Sequence, residues 1–416
     1  MSKFPCLSCK GKNPSLCGRT FCPIYSQSEA SFKVIQKIDK SFIGATPPTI
    51  FIGSKLNYPK VNVGVLSVTE NKMESWKYDS PNYWYQNKTR IKDIISYRSS
   101  LINSRFQAEV TDIRKSGKLL ELAQEVGMAM KQSQLEFNLK NKPDLKINLS
   151  YVGLPMGPSA RLISANLNEN VSIPKHIEKV FLDTDLKAVG GMKYLDAKGY
   201  NEHQLSQLLS IGSLGVGKNR VLVPTRSSIT CVDDFLGKEG IKEIKTFESI
   251  SDHKMFFGNY LGNYFLCLFF PGVWSYELFE MYLPKTLWNR REEIGVTTDW
   301  ENFKGRTNYA ENCTGGYYAA RLGVIEYLKK IKMQGRVILL RFITEEYEAP
   351  LGVFVVRQAV RESLSKPFIG FGEKKLMLNA AKEFILKKFN YDIDNVLKAS
   401  NVLEIVKTQS NIREWF

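Results

Sequence analysis

The sequence has no long apolar run. Its longest apolar stretch, from Tyr264 to Trp274, is interrupted by Pro271. A membrane-crossing helix needs about 18 or more consecutive apolar residues, so the sequence predicts none. The N-terminal residues also lack the apolar segment of a secretion signal, and we therefore expect a cytoplasmic protein.

Histidine is scarce, with three residues in a chain of 416. His176, His203 and His253 have no Cys or Asp neighbour at ligand spacing, so the sequence gives no basis for a Ser-His-Asp or Cys-His catalytic site. Internal repeats and low-complexity tracts are absent as well. Hydrophobic residues at 43% and aromatic residues at 12% are instead typical of a globular protein with a sizeable core.

Acidic residues are outnumbered by basic ones, 42 Asp and Glu against 58 Lys and Arg, which gives a formal net charge of +16. Such an excess favours a polyanionic partner, because neutralised phosphates release counterions. Nucleic acid is the first candidate. A basic surface that only increases solubility is the alternative.

Four of the seven cysteines lie in the first 22 residues, at Cys6, Cys9, Cys17 and Cys22. Four thiolates suit a tetrahedral Zn²⁺, and the Cys-x2-Cys loop presents two of them from a short chain. Four protein ligands leave no open position for water, so the zinc is expected to be structural. An iron–sulfur cluster is the chemical alternative, whereas disulfides require an oxidising compartment. The scattered Cys231, Cys267 and Cys313 are expected in the core.

The last eight residues contain Gln409, Ile412, Trp415 and Phe416. The three apolar residues are spaced i, i+3, i+4, so one helical turn presents all of them on one face. The pattern Gln-x-x-aliphatic-x-x-aromatic-aromatic is that of peptides that bind the ring-shaped sliding clamp PCNA. An exposed chain terminus suits such a tethering peptide, and clamp binding implies a DNA substrate. The alternative is a terminal segment that docks on the protein's own core.

Hydrophobic patterning predicts strands and helices that intermix without a regular βαβ rhythm. Strands are predicted at 49–52, 61–68, 135–139, 147–151, 220–223, 263–270, 336–343 and 352–357. Helices are predicted at 119–130, 172–186, 201–209, 314–331 and 373–389. The predicted fold class is α+β, with a mixed-sheet body, an N-terminal four-cysteine zinc finger and a flexible C-terminal clamp-binding peptide.

The expected organisation has four parts. They are the zinc finger at 1–30, an N-terminal α+β region at 31–165, a C-terminal α+β region at 166–400 and the clamp-interacting tail at 401–416. The aromatic-rich run from Tyr260 to Trp274 is expected in the core.

The segment from Gly212 to Asn219 resembles a phosphate-binding loop, but Asn219 stands where Ser or Thr would bind Mg²⁺. A predicted helix also precedes this loop, whereas a phosphate-binding loop joins a strand to a following helix. We therefore reject nucleotide hydrolysis at this loop.

Two acidic pairs and one arginine are the candidates for catalysis. Asp183 with Asp185, and Asp233 with Asp234, are possible carboxylate ligands of Mg²⁺ for phosphodiester cleavage. Arg226 lies among hydroxyl residues after a predicted strand and is a possible phosphate ligand. Helix caps, solvated turns and a hydrogen-bonded strand end are the alternatives.

Taken together, these residues resemble the Nre family of archaeal DNA repair proteins over essentially the whole chain. The resemblance lies in the four N-terminal cysteines, the terminal peptide, and segments 58–64, 79–81, 97–100, 183–188, 223–230, 233–234 and 315–318. It implies a role in DNA damage repair, a zinc finger at the cysteines and clamp binding through the terminal peptide. It implies no catalytic residues, so whether the protein is an enzyme stays open.

Three functions are therefore in competition. The first is a repair factor that is recruited by PCNA and binds DNA through its basic surface. The second is a metal-dependent nuclease, or another nucleotide-processing enzyme acting in repair, with Mg²⁺ as cofactor. The third is a clamp-bound adaptor for protein partners, whose binding would lack the steep salt dependence of phosphate contacts.

Overall fold

A computed structural model of the protein describes residues 22–54, 56–69, 74–115, 117–144, 155–284, 286–289 and 291–408. These residues form two compact units, 22–232 and 233–408. Each unit combines helices with one six-stranded sheet, and each sheet contains both parallel and antiparallel pairs. The predicted α+β class with mixed sheets is therefore confirmed.

The first unit intermixes short strands with helices in no regular alternation. Its strands are β1 (Ser41–Thr46), β2 (Ile50–Ile52), β3 (Lys60–Ser67), β4 (Ile102–Glu109), β5 (Ser133–Leu139) and β6 (Ser159–Leu167). Its helices are α1 (Pro23–Ile35), α2 (Pro81–Gln86), α3 (Ile91–Ser99), α4 (Lys118–Met128), α5 (Lys175–Leu182), α6 (Ala188–Ala197), α7 (Glu202–Ser210) and the start of α8 (Thr225–Ile244). Short 3₁₀ turns span Ser75–Asp79, Asp112–Arg114 and Gly217–Asn219.

The first sheet has the strand order β1-β5-β6-β4-β3-β2, and the pair β4–β6 is parallel. In β5, buried apolar residues alternate with exposed Glu136 and Asn138, so at this strand one face of the sheet is apolar and the other polar. Helix α4 belongs to the apolar side. A Cβ at its Gly127 would come within 2.7 Å of Ile211 Cδ1, so the glycine permits close packing there.

The second unit has its own sheet. Its strands are β7 (His253–Tyr260), β8 (Asn263–Phe270), β9 (Ser275–Tyr282), β10 (Gly295–Glu301), β11 (Arg336–Ile343) and β12 (Ile369–Phe371). Its helices, after the end of α8, are α9 (Thr314–Ile331), α10 (Phe354–Ser365), α11 (Lys374–Phe389), α12 (Asp394–Lys398) and α13 (Asn401–Thr408). The strand order is β10-β9-β11-β8-β7-β12, with β9 and β11 parallel.

Both faces of the second sheet are covered, and β11 is buried along its whole length. One face packs against α11, α12 and α13 through residues that include Met377, Val396 and Leu403. The other face carries α10, and a Cβ at Gly258 in β7 would come within 2.6 Å of the Ser363 Cα. The glycine therefore lets α10 lie directly on the strand.

Most predicted elements are confirmed. The strands at 263–270 and 336–343 and the helix at 314–331 have the predicted bounds. Seven further predictions overlap the observed elements, at 49–52, 61–68, 135–139, 119–130, 172–186, 201–209 and 373–389. The aromatic-rich run is mainly core, since its residues 265–270 are fully buried.

Two predicted strands are wrong. Residues 220–223 form an extended segment before α8, held by single hydrogen bonds such as that from the Leu222 N–H to the Val110 carbonyl, at 2.9 Å. Residues 352–357 run into α10, whose buried side packs on β7 and β8, so tertiary packing overrides the β propensity of Val353 to Val356. The predicted strand at 147–151 lies outside the described residues.

One of the three scattered cysteines is also misplaced by the sequence prediction. Cys267 and Cys313 are buried as predicted, whereas Cys231 is exposed. Cys231 lies on α8, and a helix on the surface of a unit places only part of its circumference in the core.

The domain boundaries differ from those expected. A boundary at 30/31 falls inside α1, and one at 165/166 falls inside β6, which is hydrogen-bonded to both β4 and β5. The structure divides the chain at 232/233 instead. The expected tail at 401–416 begins with α13, whose Val402 and Leu403 are buried.

A buried carboxylate fixes the start of α13. Glu277 in β9 is fully buried and accepts hydrogen bonds from the backbone N–H groups of Asn401 and Val402, each at 3.1 Å. The Ser400 hydroxyl and the Asn401 side-chain amide donate to the same carboxylate. An anion at a helix N-terminus also complements the helix dipole, so Glu277 anchors the last described helix to the sheet.

Replacing Glu277 by Ala should release α13 from the sheet. The variant loses several hydrogen bonds to a charged group, each worth about 1.5–3 kcal/mol, so amide exchange across residues 401–408 should accelerate by about 100-fold. Hydrogen–deuterium exchange measures this directly. Glu404→Ala is the matched control, since Glu404 is exposed on the same helix. Equal exchange in the two variants would show that the carboxylate does not anchor the helix.

Candidate functional site

Three sequence segments that lie far apart in the chain meet in the first unit. The Arg98 guanidinium on α3 forms a buried ion pair with Asp79, and the two side chains are 4% and 6% exposed. The same guanidinium lies 3.3 Å from the Met156 sulfur. A buried pair of this kind is costly to break, so it holds the 155–159 segment beside α3.

Glycine is required where this segment crosses the start of β4. A Cβ on Gly157 would come within 2.0 Å of the Leu101 carbonyl oxygen and 2.6 Å of the Ser99 carbonyl oxygen. Both atoms belong to backbone, so neither can move aside easily. The Asn103 N–H then donates to the Pro158 carbonyl at 2.8 Å, and this contact starts the parallel pairing of β4 with β6.

The pairing aligns cations on three neighbouring strands. Arg105 of β4 is the register partner of Arg161 of β6. The Lys140 N–H, just after β5, donates to the Arg161 carbonyl at 2.9 Å. Leu139 and Leu162 are paired and buried. Lys140, the residue after β5, and Arg161, the residue before Leu162, therefore point to the opposite, polar face. We call Lys140, Arg161 and Arg105 the cation row.

The cation row carries three positive charges, and most of it is exposed to solvent. Lys140 and Arg161 are exposed and Arg105 is half-buried. An Arg105 Nη2–H donates to the Ser159 hydroxyl, and burial lowers the pKa of the guanidinium. Among the described residues, none of the three forms an ion pair. Like charges on directly opposed sheet residues are destabilising, so the row is costly unless an anion is bound.

Carboxylates on the same face lie at other positions along the strands. Glu109 is the register partner of Lys60, and Asp144 forms a bridge with Ser159, next to the row. Glu136 is also exposed on the polar face of β5. The row itself therefore presents positive charge, and the acids of this face lie beside it.

The first acidic pair predicted for catalysis forms a turn. One carboxylate oxygen of Asp183 accepts hydrogen bonds from the backbone N–H groups of Asp185 and Leu186, each at 2.9 Å. This geometry joins α5 to α6, and Asp185 is exposed. Arg226, the predicted phosphate ligand, is exposed in the first turn of α8.

The second acidic pair lies in the middle of α8, and both of its carboxylates form ion pairs. Both carboxylate oxygens of Asp233 lie 2.6 Å from Nη2 of Arg357, and Asp233 is fully buried. Asp234 pairs with Arg321 at 2.6 Å and with Lys238 at 2.7 Å. Within the described ranges, no group of three or more His, Cys, Asp and Glu side chains is arranged to hold a metal ion.

A buried polar centre in the second unit was missed by the sequence prediction. Glu280 of β9 and Arg341 of β11 are register partners and form a buried ion pair. Arg341 Nε also donates to the Asn263 side-chain oxygen at 3.0 Å, and the Tyr282 hydroxyl donates to Glu280 at 2.8 Å. Burial and the neighbouring Glu280 raise the pKa of Tyr282, so it remains a donor. The sequence feature that could have revealed this centre is the presence of Glu280 and Arg341 inside two mainly apolar segments.

Most residues of the two terminal motifs lie outside the described part of the chain. These are Cys6, Cys9, Cys17, Gln409, Ile412, Trp415 and Phe416. Cys22 is described, and it is the N-cap of α1. Its sulfur accepts a hydrogen bond from the Tyr25 N–H at 3.4 Å.

Comparison with known proteins identifies the class to which this fold belongs. The family model described as Archaeal Nre, N-terminal, matches residues 16–289, and the one described as Archaeal Nre, C-terminal, matches residues 301–415. An α+β protein of two mixed sheets is thus matched over nearly its whole length by the two models. The chain belongs to the archaeal Nre family, as its resemblance predicts.

Curated relatives align over most of the chain. The DNA repair protein NreB of Archaeoglobus fulgidus is 34% identical over 96% of this chain and 97% of its own length. The proteins named DNA repair protein NreA from the same organism and from Haloferax volcanii are 37% and 35% identical, over 87% and 78% of this chain and 89% and 78% of their own lengths. No solved structure matches the chain at a significant level.

The helices of the structure agree with the lack of a long apolar run in the sequence. Within the described ranges, no helix combines the length and the apolar character that crossing a membrane requires.

Replacing Gly157 by Ala should disrupt the segment that positions Ser159 and Arg161. The new Cβ meets two backbone oxygens, so the free energy of unfolding should fall by about 3 kcal/mol. Urea unfolding of the full chain, followed by circular dichroism, measures the loss. Gly372→Ala is the control, because nothing lies within 4 Å of a Cβ there, and its effect should stay within about 0.5 kcal/mol. A tolerated Gly157→Ala would contradict the close approach.

Proposed function

We propose that this protein is a DNA repair factor that is recruited to DNA by the sliding clamp PCNA. The observation that carries the proposal is the alignment with relatives named DNA repair proteins, one of them over 97% of its own length. A repair role fits the net charge of +16, since excess positive charge favours binding to phosphates. The proposal places the protein in the cytoplasm.

The C-terminal peptide would bind the clamp. Ile412, Trp415 and Phe416 would fill an apolar pocket as one helical turn, and the Gln409 amide would bind its rim. The peptide directly follows α13, which is packed on the second sheet. Clamp binding would therefore raise the local concentration of the whole protein at DNA, so that a modest DNA affinity suffices.

The four N-terminal cysteines would hold a structural zinc ion. The chemistry of Cys22 fits this assignment, because it lies at the N-terminus of α1 and its sulfur accepts a backbone N–H. A backbone N–H beside the sulfur complements the negative charge that a zinc-bound cysteine carries. When bound, the zinc would supply the folding energy that such a short segment lacks.

The proposal includes no reaction. The acidic residues considered for a nuclease close a turn or neutralise buried arginines, and no contact of the described residues favours the nuclease over the recruited factor. The adaptor hypothesis differs from the proposal in DNA binding alone.

Truncating the chain before Gln409, or substituting Trp415→Ala and Phe416→Ala together, should abolish clamp binding. Aromatic hot spots contribute about 2 kcal/mol or more each, so the double variant should bind PCNA at least 30-fold more weakly. Calorimetric titration with the clamp gives the affinity. Ser410→Ala, at a position the pattern leaves free, is the control. A truncated chain that still binds the clamp would disprove the assignment of this peptide.

Substituting Cys9→Ser or Cys22→Ser should remove the metal. The purified full chain should contain about one zinc ion, and each variant close to none, because three thiolates bind zinc far more weakly than four. Elemental analysis for zinc and iron measures the content. Cys231→Ser is the control, since Cys231 is exposed on α8. Iron with inorganic sulfide in the wild-type protein would instead establish a cluster.

A further inference from the structure

We propose that the cation row, Lys140, Arg161 and Arg105, is a binding site for the phosphate backbone of DNA. The proposal rests on the proposed function for the choice of DNA, and on the structure for the location. Net charge alone does not say which surface of the protein contacts DNA, whereas the cation row is a defined surface on the first sheet.

The geometry of the row suits a polyanion. Arg105 and Arg161 lie on paired strands, and Lys140, the residue that follows β5, donates its backbone N–H to the Arg161 carbonyl. Neighbouring strands are about 4.8 Å apart, so the backbone positions of the row span about 10 Å across the sheet. Successive phosphates of a nucleic-acid strand extend over such a span.

The three cations have different freedom. Arg105 is half-buried and its guanidinium is fixed by the Ser159 hydroxyl, so it offers its remaining donors at a set position. Lys140 and Arg161 are exposed, and can adapt to the curvature of a backbone. A fixed guanidinium beside two flexible cations is an arrangement that positions phosphate without reading base sequence.

The local energetics also favour an anion. The row sets like charges side by side on a sheet, which opposes folding. Among the described residues, Arg105 forms no ion pair with a carboxylate. Bound phosphates would remove this repulsion.

The test is nucleic-acid binding of the full chain, measured by fluorescence anisotropy over a range of salt with labelled single-stranded DNA, duplex DNA and single-stranded RNA. The row variant is Lys140→Gln, Arg161→Gln and Arg105→Gln combined. The control removes the same charge from the other unit, at Lys330→Gln, Lys375→Gln and Lys387→Gln, which are all exposed. A second variant, Lys140→Gln with Arg161→Gln, leaves the Arg105–Ser159 contact intact in case the triple variant does not fold.

The row variant should bind DNA at least tenfold more weakly than the control variant. Its slope of log affinity against log salt should be shallower by about 3 for duplex and about 2 for single-stranded DNA, because each lost phosphate contact contributes about 0.9 or 0.7. Its thermal stability should be equal or higher, since repulsion is removed.

Three other outcomes would overturn the proposal in distinguishable ways. If wild-type protein binds DNA and both variants weaken it equally, the row is not the site, although DNA binding stands. If the row variant loses affinity for RNA but not for DNA, the occupant is misassigned. If wild-type protein binds PCNA but no DNA, then both the row and the DNA part of the proposed function fail, and the clamp-bound adaptor is favoured.

Discussion

The parallel register between β4 and β6 is the constraint on which the candidate DNA surface depends. It pairs Arg105 with Arg161 and Asn103 with Ser159, although the two strands are separated by a helix and a further strand in the chain. Register in a sheet is an all-or-none property, because a slip of one residue would turn every side chain of β6 to the other face. Gly157 and the buried Asp79–Arg98 pair hold the approach to β6, so a local packing detail fixes the position of surface charges.

The second unit keeps charged groups inside a sheet that is covered on both faces. Glu280 with Arg341, and Glu301 with Arg321, are paired within the core, and Glu277 is satisfied by the first residues of α13. Each charge has a partner, as burial requires. These groups stabilise one arrangement of strands and helices, and they leave the surface of the unit free for other roles.

Sequence patterns predict the elements whose own side chains decide their structure. β8 and β11 are continuous apolar runs and α9 has helical spacing, so their bounds follow from residues within each element. Helix α8 was not predicted. Thr225, Ser227 and Thr230 at its start have low helix propensity, and the contact that supports this start is distant, since the Ile52 N–H donates to the Thr225 hydroxyl at 2.8 Å. Local propensity cannot register a partner 173 residues away.

The candidate sites divide in the same way. The cysteine cluster and the terminal peptide are local patterns, so sequence alone suggests them. The cation row is invisible in the sequence, since Lys140, Arg161 and Arg105 become neighbours only through the strand order β5-β6-β4. The opposite holds for Asp233 and Asp234, which are adjacent in sequence but point to different partners, because consecutive residues on a helix face different directions.

The most direct test of the account is arginine protection in the complex of full-length protein, PCNA and DNA. Arg161 and Arg226 are both exposed in the free protein, and an arginine-specific reagent followed by mass spectrometry reports each of them separately. The account predicts that DNA protects Arg161 while Arg226 stays as reactive as before. Protection of Arg226 with Arg161 left reactive would contradict it, and would place the DNA on the start of α8 rather than on the first sheet.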